Sequence, residues 1–274
     1  MTAFMLLLLL AQGQDFTWSG SIASGKRLTV KNVIGDVRIE LTGGSTASVT
    51  GTKRAGRHGD PEDVVVRQVQ TGEGVTICVV YPGQGNDGDC DQRGGWNDDR
   101  GQRNDTRVDF VVRLPAGVLL TAATVSGDVT GRGLRSSVEV RSVSGDVRLA
   151  GVEGTAVEAT TVSGDVELSG IQATDVVGET VSGDVEYRGV VRPKGNYEFK
   201  TLSGDVVMEI PPAAGAEVFG ATFSGRFSSS FPLTARTTAK YTSRQRIEGT
   251  IGDGSARIRV ESFSGDVELR SSPR

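Results

Sequence analysis

The sequence predicts an all-β solenoid, on three observations. One short phrase recurs along the C-terminal half at a near-constant interval, and apolar residues inside each interval alternate with period two. Glycine is abundant, at 38 of 274 residues against 8 prolines, about twice its usual ~7% share. Glycine in that excess, without a proline- or serine-rich linker, points to many turns and bends.

The phrase is VSGDV at 125–129, 143–147, 162–166 and 181–185, LSGDV at 202–206, FSGRF at 223–227 and FSGDV at 263–267. Its glycines, Gly127, Gly145, Gly164, Gly183, Gly204, Gly225 and Gly265, are spaced by 18, 19, 19, 21, 21 and 40 residues. The last interval is about two periods, and a period near 20 residues marks a stacked repeat architecture. Seven before each glycine stand Leu120, Val138, Val157, Val176, Tyr197, Val218 and Ile258. Two before stand Val125, Val143, Val162, Val181, Leu202, Phe223 and Phe263, and two after stand Val129, Val147, Val166, Val185, Val206, Phe227 and Val267. Four after come Leu149, Leu168, Tyr187, Met208 and Leu269. Alternation of this kind is what a strand with one buried face requires. The parity slips between five-before and two-before the glycine, which predicts a corner there. Short strands joined by such corners describe a β-helix coil with like residues stacked ~4.8 Å apart. In the corner itself, glycine reaches backbone angles closed to other residues, Ser and Asp bond nearby backbone groups, and the next valine re-enters the core. A helical alternative fails for want of a 3.6-residue apolar stripe.

From the N-terminus, 4–11 reads FMLLLLLA, too short to span a bilayer as a helix, and is followed by AQGQD. That pattern predicts a secretory signal segment over 1–14, although its start has no Lys or Arg. The repeat template occurs once early, around Gly35 in LTVKNVIGDVRIE, with Leu28, Val30, Val33, Val37 and Ile39 on the same columns. The solenoid register therefore begins near residue 26 and is interrupted by inserted strands and a polar loop over about 42–118. The loop, 82–106, is rich in Gly, Asp, Asn and Arg and is long enough to carry function. Cys78 lies in the apolar run VTICVVYP and Cys90, 12 residues on, in that loop. In an oxidising compartment they would form one disulfide, worth ~3 kcal/mol for so short a closed loop; two free thiols are the alternative. Zinc is not indicated, since there is no CxxC and no Cys/His cluster. Residues 228–250 form a second irregular, basic region. The expected organisation is thus 1–14 signal peptide, 15–118 N-terminal β region and 119–274 repeat solenoid, the last two as one continuous elongated domain over 15–274.

The ordered set of IGDV unit, ICVVYP…C…VDFVVRLPAGV middle section, tandem SGDV repeats and SGRFSSSFPL…GTIGDGSARIRVESFSGDVEL ending resembles the bacterial β-strand-repeat "putative adhesin" family, a domain family of unknown function. The resemblance covers roughly 26–270. It implies a right-handed parallel β-helix-like fold, export or association with the envelope, and an adhesin-like role. It carries no catalytic residues.

Candidate chemistry centres on a ladder of Asp128, Asp146, Asp165, Asp184 and Asp205 along one edge. Unit charges ~5 Å apart repel by ~0.8 kcal/mol in water and ~3 kcal/mol at an effective dielectric of 20, so something offsets them. Turn N–H groups or neighbouring Arg are the expected partners, and calcium between coils is the weaker alternative. Asn97, Asp98, Asp99, Asn104 and Asp105 form a second acidic group, read as a solvated loop before a cation site. Arg226, Arg236, Lys240, Arg244 and Arg246, near Phe231 and Tyr241, form a basic edge that could meet anionic glycans or lipid. The lone histidine, His58, stands in the polar turn KRAGRHGD, and no GxSxG, HExxH or P-loop pattern occurs. The net charge of −4 suggests neither nucleic acid nor anionic membrane as a bulk partner.

The expectation is therefore an exported, non-catalytic, adhesin-like binding module without cofactor or transmembrane helix. Its ligand would be an unknown envelope or extracellular protein or glycan. The alternatives are a scaffold that self-associates end to end through β-helix edges and, more remotely, a polysaccharide-acting β-helix enzyme, for which the paired acids of such a site are not evident.

Overall fold

The computed structural model describes residues 16–82, 90, 104–237 and 245–272. The signal segment at 1–14, most of the 82–106 loop and 238–244 lie outside the described residues. The chain forms two long sheets, of 11 and 12 strands, facing one another across a single apolar core. Both are dominated by parallel pairs, with antiparallel strands only towards the ends.

Each central level of the stack contributes one strand to each sheet. In order these levels are Leu119–Ala123 with Val129–Arg132, Val138–Arg141 with Val147–Ala150, and Ala156–Thr160 with Val166–Ile171. Asp175–Ser182 with Val185–Gly189 and Asn196–Ser203 with Val206–Ile210 follow. Register runs column by column, with one irregularity between Ser169 and Ile171: Val138 faces Leu120 on one side and Val157 on the other, and Val166 faces Val147 and Val185. Repeats that match column by column leave no competing register, because a one-residue slip would turn every buried side chain outward. Where the glycine interval lengthens to 21, twice, the extra residues lie towards the far corners, 190–195 between Val185–Gly189 and Asn196–Ser203 and 211–215 between Val206–Ile210 and Ala216–Ser224.

The ends of the stack double back. Arg27–Lys31 and Val37–Thr42 form the level before Leu119–Ala123 and Val129–Arg132. Beyond that level lie Gly74–Val80 and Arg107–Pro115, so two strands of the 42–118 region form a level of their own. Thr46–Arg54 and then Phe16–Ser21 close one sheet in antiparallel fashion, and Val65–Thr71 closes the other. At the opposite end, Ala256–Ser264 and Val267–Ser271 lie between the level of 196–210 and that of Ala216–Ser224 with Phe227–Ser229. The 40-residue glycine interval is therefore no pair of successive coils. It contains the antiparallel strands Thr234–Thr237 and Gln245–Ile251, and the later level is packed inside the earlier one.

The columns seven before, two after and four after each glycine are buried as the pattern predicts, except half-buried Phe227. The column two before is not. Val125, Val143, Val162, Val181, Leu202, Phe223 and Phe263 are 39–53% exposed, which corrects their place in the apolar pattern. No parity slip occurs where the apolar residues suggest one. The strand alternation runs on to the residue three before the glycine, Thr124, Ser142, Thr161, Thr180, Thr201, Thr222 and Ser262, all buried. Each hydroxyl donates to a glycine carbonyl of the neighbouring level, as Thr161 does to Gly145 at 2.9 Å and Thr180 to Gly164 at 2.9 Å. The inward place is thus filled by a satisfied hydroxyl, and the apolar residue after it has to face out.

Tyr187 and Tyr197, both fully buried, widen the core where the repeat lengthens. Tyr187 donates its hydroxyl to the Val190 carbonyl at 2.9 Å, and Tyr197 to that of Ala173 at 2.9 Å. Burial pushes the Tyr187 phenol far above its usual range.

Candidate functional site

The SGD corners stack into one edge of the solenoid, and the edge has three kinds of column. The first is glycine. Gly164 has φ +149°, and a β-carbon there would lie 2.3 Å from the Gly145 carbonyl oxygen. Gly35, Gly127, Gly145, Gly183, Gly204 and Gly265 occupy the same place, and a β-carbon on Gly225 would lie 2.0 Å from the Gly265 carbonyl oxygen. The corner backbones approach so closely because they are hydrogen-bonded level to level, as Gly164 N–H to Ser182 O at 3.0 Å.

The second column is acidic. Oδ1 of each aspartate accepts the main-chain N–H of the next column member: Asp128 from Asp146, Asp146 from Asp165, and Asp165 from Asp184, at 2.8–2.9 Å. Asp184 and Asp205 continue the pattern to Asp205 and Asp266, both at 2.7 Å. The run begins with Asp109, whose Oδ1 accepts the Asp36 N–H at 3.0 Å, and ends at Arg226, which donates its N–H to Asp266 at 2.8 Å. Arginine neutralises both flanks. Arg107 pairs with Asp36 at 2.5 Å, Arg148 with Asp146 at 2.6 Å and Asp128 at 3.8 Å, and Arg226 with Asp266 at 3.1 Å. The N–H and then the guanidinium of Arg226 hold the Asp266 carboxyl below its usual range. Among the described residues, no Lys or Arg pairs with Asp165, Asp184 or Asp205. A main-chain N–H gives each of these carboxylates one partner, at Oδ1.

The third column is the exposed apolar one. In spatial order it reads Val125, Val143, Val162, Val181, Leu202, Phe263 and Phe223, following the level order of the sheets. Six level steps of ~4.8 Å make it about 29 Å long. Its side chains enlarge towards one end, where Phe223 and Phe263 stack with ring centroids 4.7 Å apart and planes at 5°. Large contiguous exposed apolar surface is one mark of an interaction site.

The other candidates are dispersed or already engaged. Cys78 and Cys90 form a disulfide with Cα atoms 5.7 Å apart, and Lys31 Nζ donates to the Cys90 carbonyl at 3.2 Å. Asn97, Asp98 and Asp99 lie outside the described residues. Asp105 accepts the N–H groups of His58 and Arg57, each at 2.8 Å, and these bonds, His58's first, hold its carboxyl below the usual range. Asn104 donates to the Asp60 carbonyl at 2.9 Å, so this pair ties the 56–60 turn down. Lys240, Tyr241 and Arg244 lie outside the described residues, and of Arg236 only the backbone is described. Phe231 is buried, and Arg246 is engaged by Glu248 at 2.8 Å and by the Phe219 ring at 4.6 Å. Arg259 covers the same ring at 4.4 Å, and a shallow groove beside it is lined by Glu217, Arg257 and Asn196. The described part of the basic edge is thus largely self-paired.

Two columns escape a reading based on apolar residues alone. One is the inward Thr/Ser column, legible only as a recurring [TS]-x-S-G. The other is Gly133, Gly151 and Gly170, six after the SGD glycines, with φ of 62–65°, the first two just past their strands and Gly170 at the irregularity near the end of Val166–Ile171.

Solved structures resemble the chain at low identity. A "putative adhesin" from Bacteroides fragilis is 10% identical, with 93% of this chain and 97% of that one covered and a TM-score of 0.47. A "putative lipid binding protein" from Parabacteroides distasonis is 15% identical, with 94% and 98% covered and a TM-score of 0.46. A "putative cell adhesion protein" from Clostridium sporogenes is 8% identical, with 94% and 100% covered and a TM-score of 0.39. No curated protein matches the chain significantly. The Toastrack DUF4097 family model matches from residue 110 to residue 270, more than half of the sequence, and the chain belongs to that family.

Proposed function

We propose that this protein is an exported, non-catalytic binding module whose ligand lies along the SGD edge. The observation that carries this is the in-register ladder from Val125 to Phe223, held half-exposed on a rigid, fully bonded corner. Covering apolar area gains ~25 cal/mol per Å², so each half-exposed rung offers a partner about 1 kcal/mol. The stripe is only one side chain wide, which suits an elongated ligand better than a broad protein face. Export is supported by the Cys78–Cys90 disulfide, which belongs in an oxidising compartment, and fits a signal segment at 1–14. A right-handed sense for the connections follows the general rule for parallel crossovers, and 15–274 is taken as one elongated domain. No helix among the described residues is long and apolar enough to cross a membrane.

A photo-crosslinking amino acid at position 181, on the ladder, is compared in the native host with one at position 167, on a sheet face. Adducts from position 181 and none from 167 are expected. Adducts from 167 alone would overturn the edge as the binding surface. The scaffold reading would have to use the outer edges of the terminal strands Phe16–Ser21, Val65–Thr71, Thr234–Thr237 and Phe227–Ser229, none longer than seven residues, and short edge strands are poor templates for pairing.

A further inference from the structure

The ladder has acidic neighbours at fixed spacing. On each corner a carboxylate follows the apolar rung by three residues: Val162 and Asp165, Val181 and Asp184, Leu202 and Asp205. The flanking aspartates carry the protein's own arginines, but these three do not, among the described residues. On the sheet faces several acids are paired, by Arg141 with Glu139 and Glu158, Arg188 with Glu186 and Glu209, and Arg270 with Glu268. Like charges one level apart repel, and among the described residues the middle of this edge pairs with no cation, on the same corners as exposed aliphatic side chains.

We propose, resting on the docking reading above, that the occupant of the edge is a cationic amphipathic polypeptide segment. Its apolar side chains cover Val162, Val181, Leu202, Phe263 and Phe223, and its Lys or Arg side chains meet Asp165, Asp184 and Asp205. Charge complementarity selects this chemistry over the others. A second copy of the chain would bring acid against acid. An anionic lipid surface meets the same repulsion, and a neutral glycan leaves the carboxylates without a cation. Because Oδ1 of each aspartate is taken by a main-chain N–H, the partner reaches Oδ2, and Asn can keep the corner bond while removing the charge.

The test is fluorescence anisotropy of a labelled amphipathic Lys/Leu peptide against the full chain, with Glu/Leu and Lys/Ser peptides as comparisons. The variants are Asp165→Asn/Asp184→Asn/Asp205→Asn, Val162→Ser/Val181→Ser/Leu202→Ser, and a charge-matched control, Glu40→Gln/Glu62→Gln/Asp63→Asn. The Lys/Leu peptide should bind, weaken with salt, lose at least tenfold in affinity with either edge variant and change less than twofold with the control. Equal loss with the control overturns the proposal, since any acid would then serve. Equal binding of the Glu/Leu peptide, still lost in the Ser variant, overturns the cationic partner but leaves the docking edge standing. Insensitivity to both edge variants sinks the edge as well. Preferential binding of phosphatidylcholine/phosphatidylglycerol vesicles would replace the polypeptide by a membrane and also overturn it.

Discussion

At Gly164 two independent constraints coincide, a φ of +149° and a carbonyl oxygen 2.3 Å from where a β-carbon would stand. Valine there is strained by its branched side chain and displaces the neighbouring corner. Gly164→Val should cost at least ~3 kcal/mol, whereas Glu167→Val, on an outward strand position, should stay within about 1 kcal/mol. Urea denaturation of the two variants checks this, and equal midpoints would refute the corner role. The aspartates are constrained differently. Each Oδ1 is held by a main-chain N–H, so the column has partners of its own and the melting temperature should be the same in millimolar calcium and in EDTA. Binding to the native state alone would raise stability by about 2.7 kcal/mol at a hundredfold excess over Kd. A rise of several degrees with calcium, abolished by Asp165→Asn, would show that a metal bridges the column.

At the scale of the strand and corner, the glycine, aspartate and re-entering valine are legible in the sequence because each is a residue type with one strong reason to be there. The column two before the glycine is not, because threonine and serine count as polar until the carbonyl that accepts their hydroxyl is seen. An apolar residue beside them then reads as core. The turn at 56–60 is equally hidden, since its anchor, Asp105, lies 47 residues from His58 in sequence. That anchor makes a prediction with a definite sign. Hydrogen bonds lower the Asp105 and Asp266 carboxyls in the folded state, below an unfolded value near ~3.9. Their contribution is therefore complete above that value and is lost as pH falls through the folded value. The melting temperature should be flat from about pH 7 to about pH 5 and fall below about pH 4, with a shallower fall in Asp105→Asn. An acid profile identical in the variant would remove Asp105 from that account.

Over the whole molecule, parallel solenoids are quasi-one-dimensional, each level touching only its neighbours, and both ends offer a strand edge to another copy. This chain departs from that at its ends. Residues 256–271 insert between levels 196–210 and 216–229, so that Val267 pairs with Val206 across 61 residues of sequence. Sequence pattern cannot rank FSGRF and FSGDV along the axis, because both satisfy the same columns and only pairing orders them. The ends of the stack are finished mostly by antiparallel strands, with Phe16–Ser21 on Thr46–Arg54 at one end and Gln245–Ile251 on Ala216–Ser224 at the other, which leaves short terminal edges. Light scattering after size exclusion should find a monomer whose mass does not change with concentration. Deleting 16–21 exchanges the six-residue edge of Phe16–Ser21 for the nine-residue edge of Thr46–Arg54, a longer template of unpaired N–H and C=O groups for a second chain. That deletion should convert the monomer into concentration-dependent oligomers while the Cys78–Cys90 disulfide stays intact. Oligomers already present in the undeleted chain would instead favour end-to-end assembly, and a deleted chain that stayed monomeric would show that another feature blocks that edge.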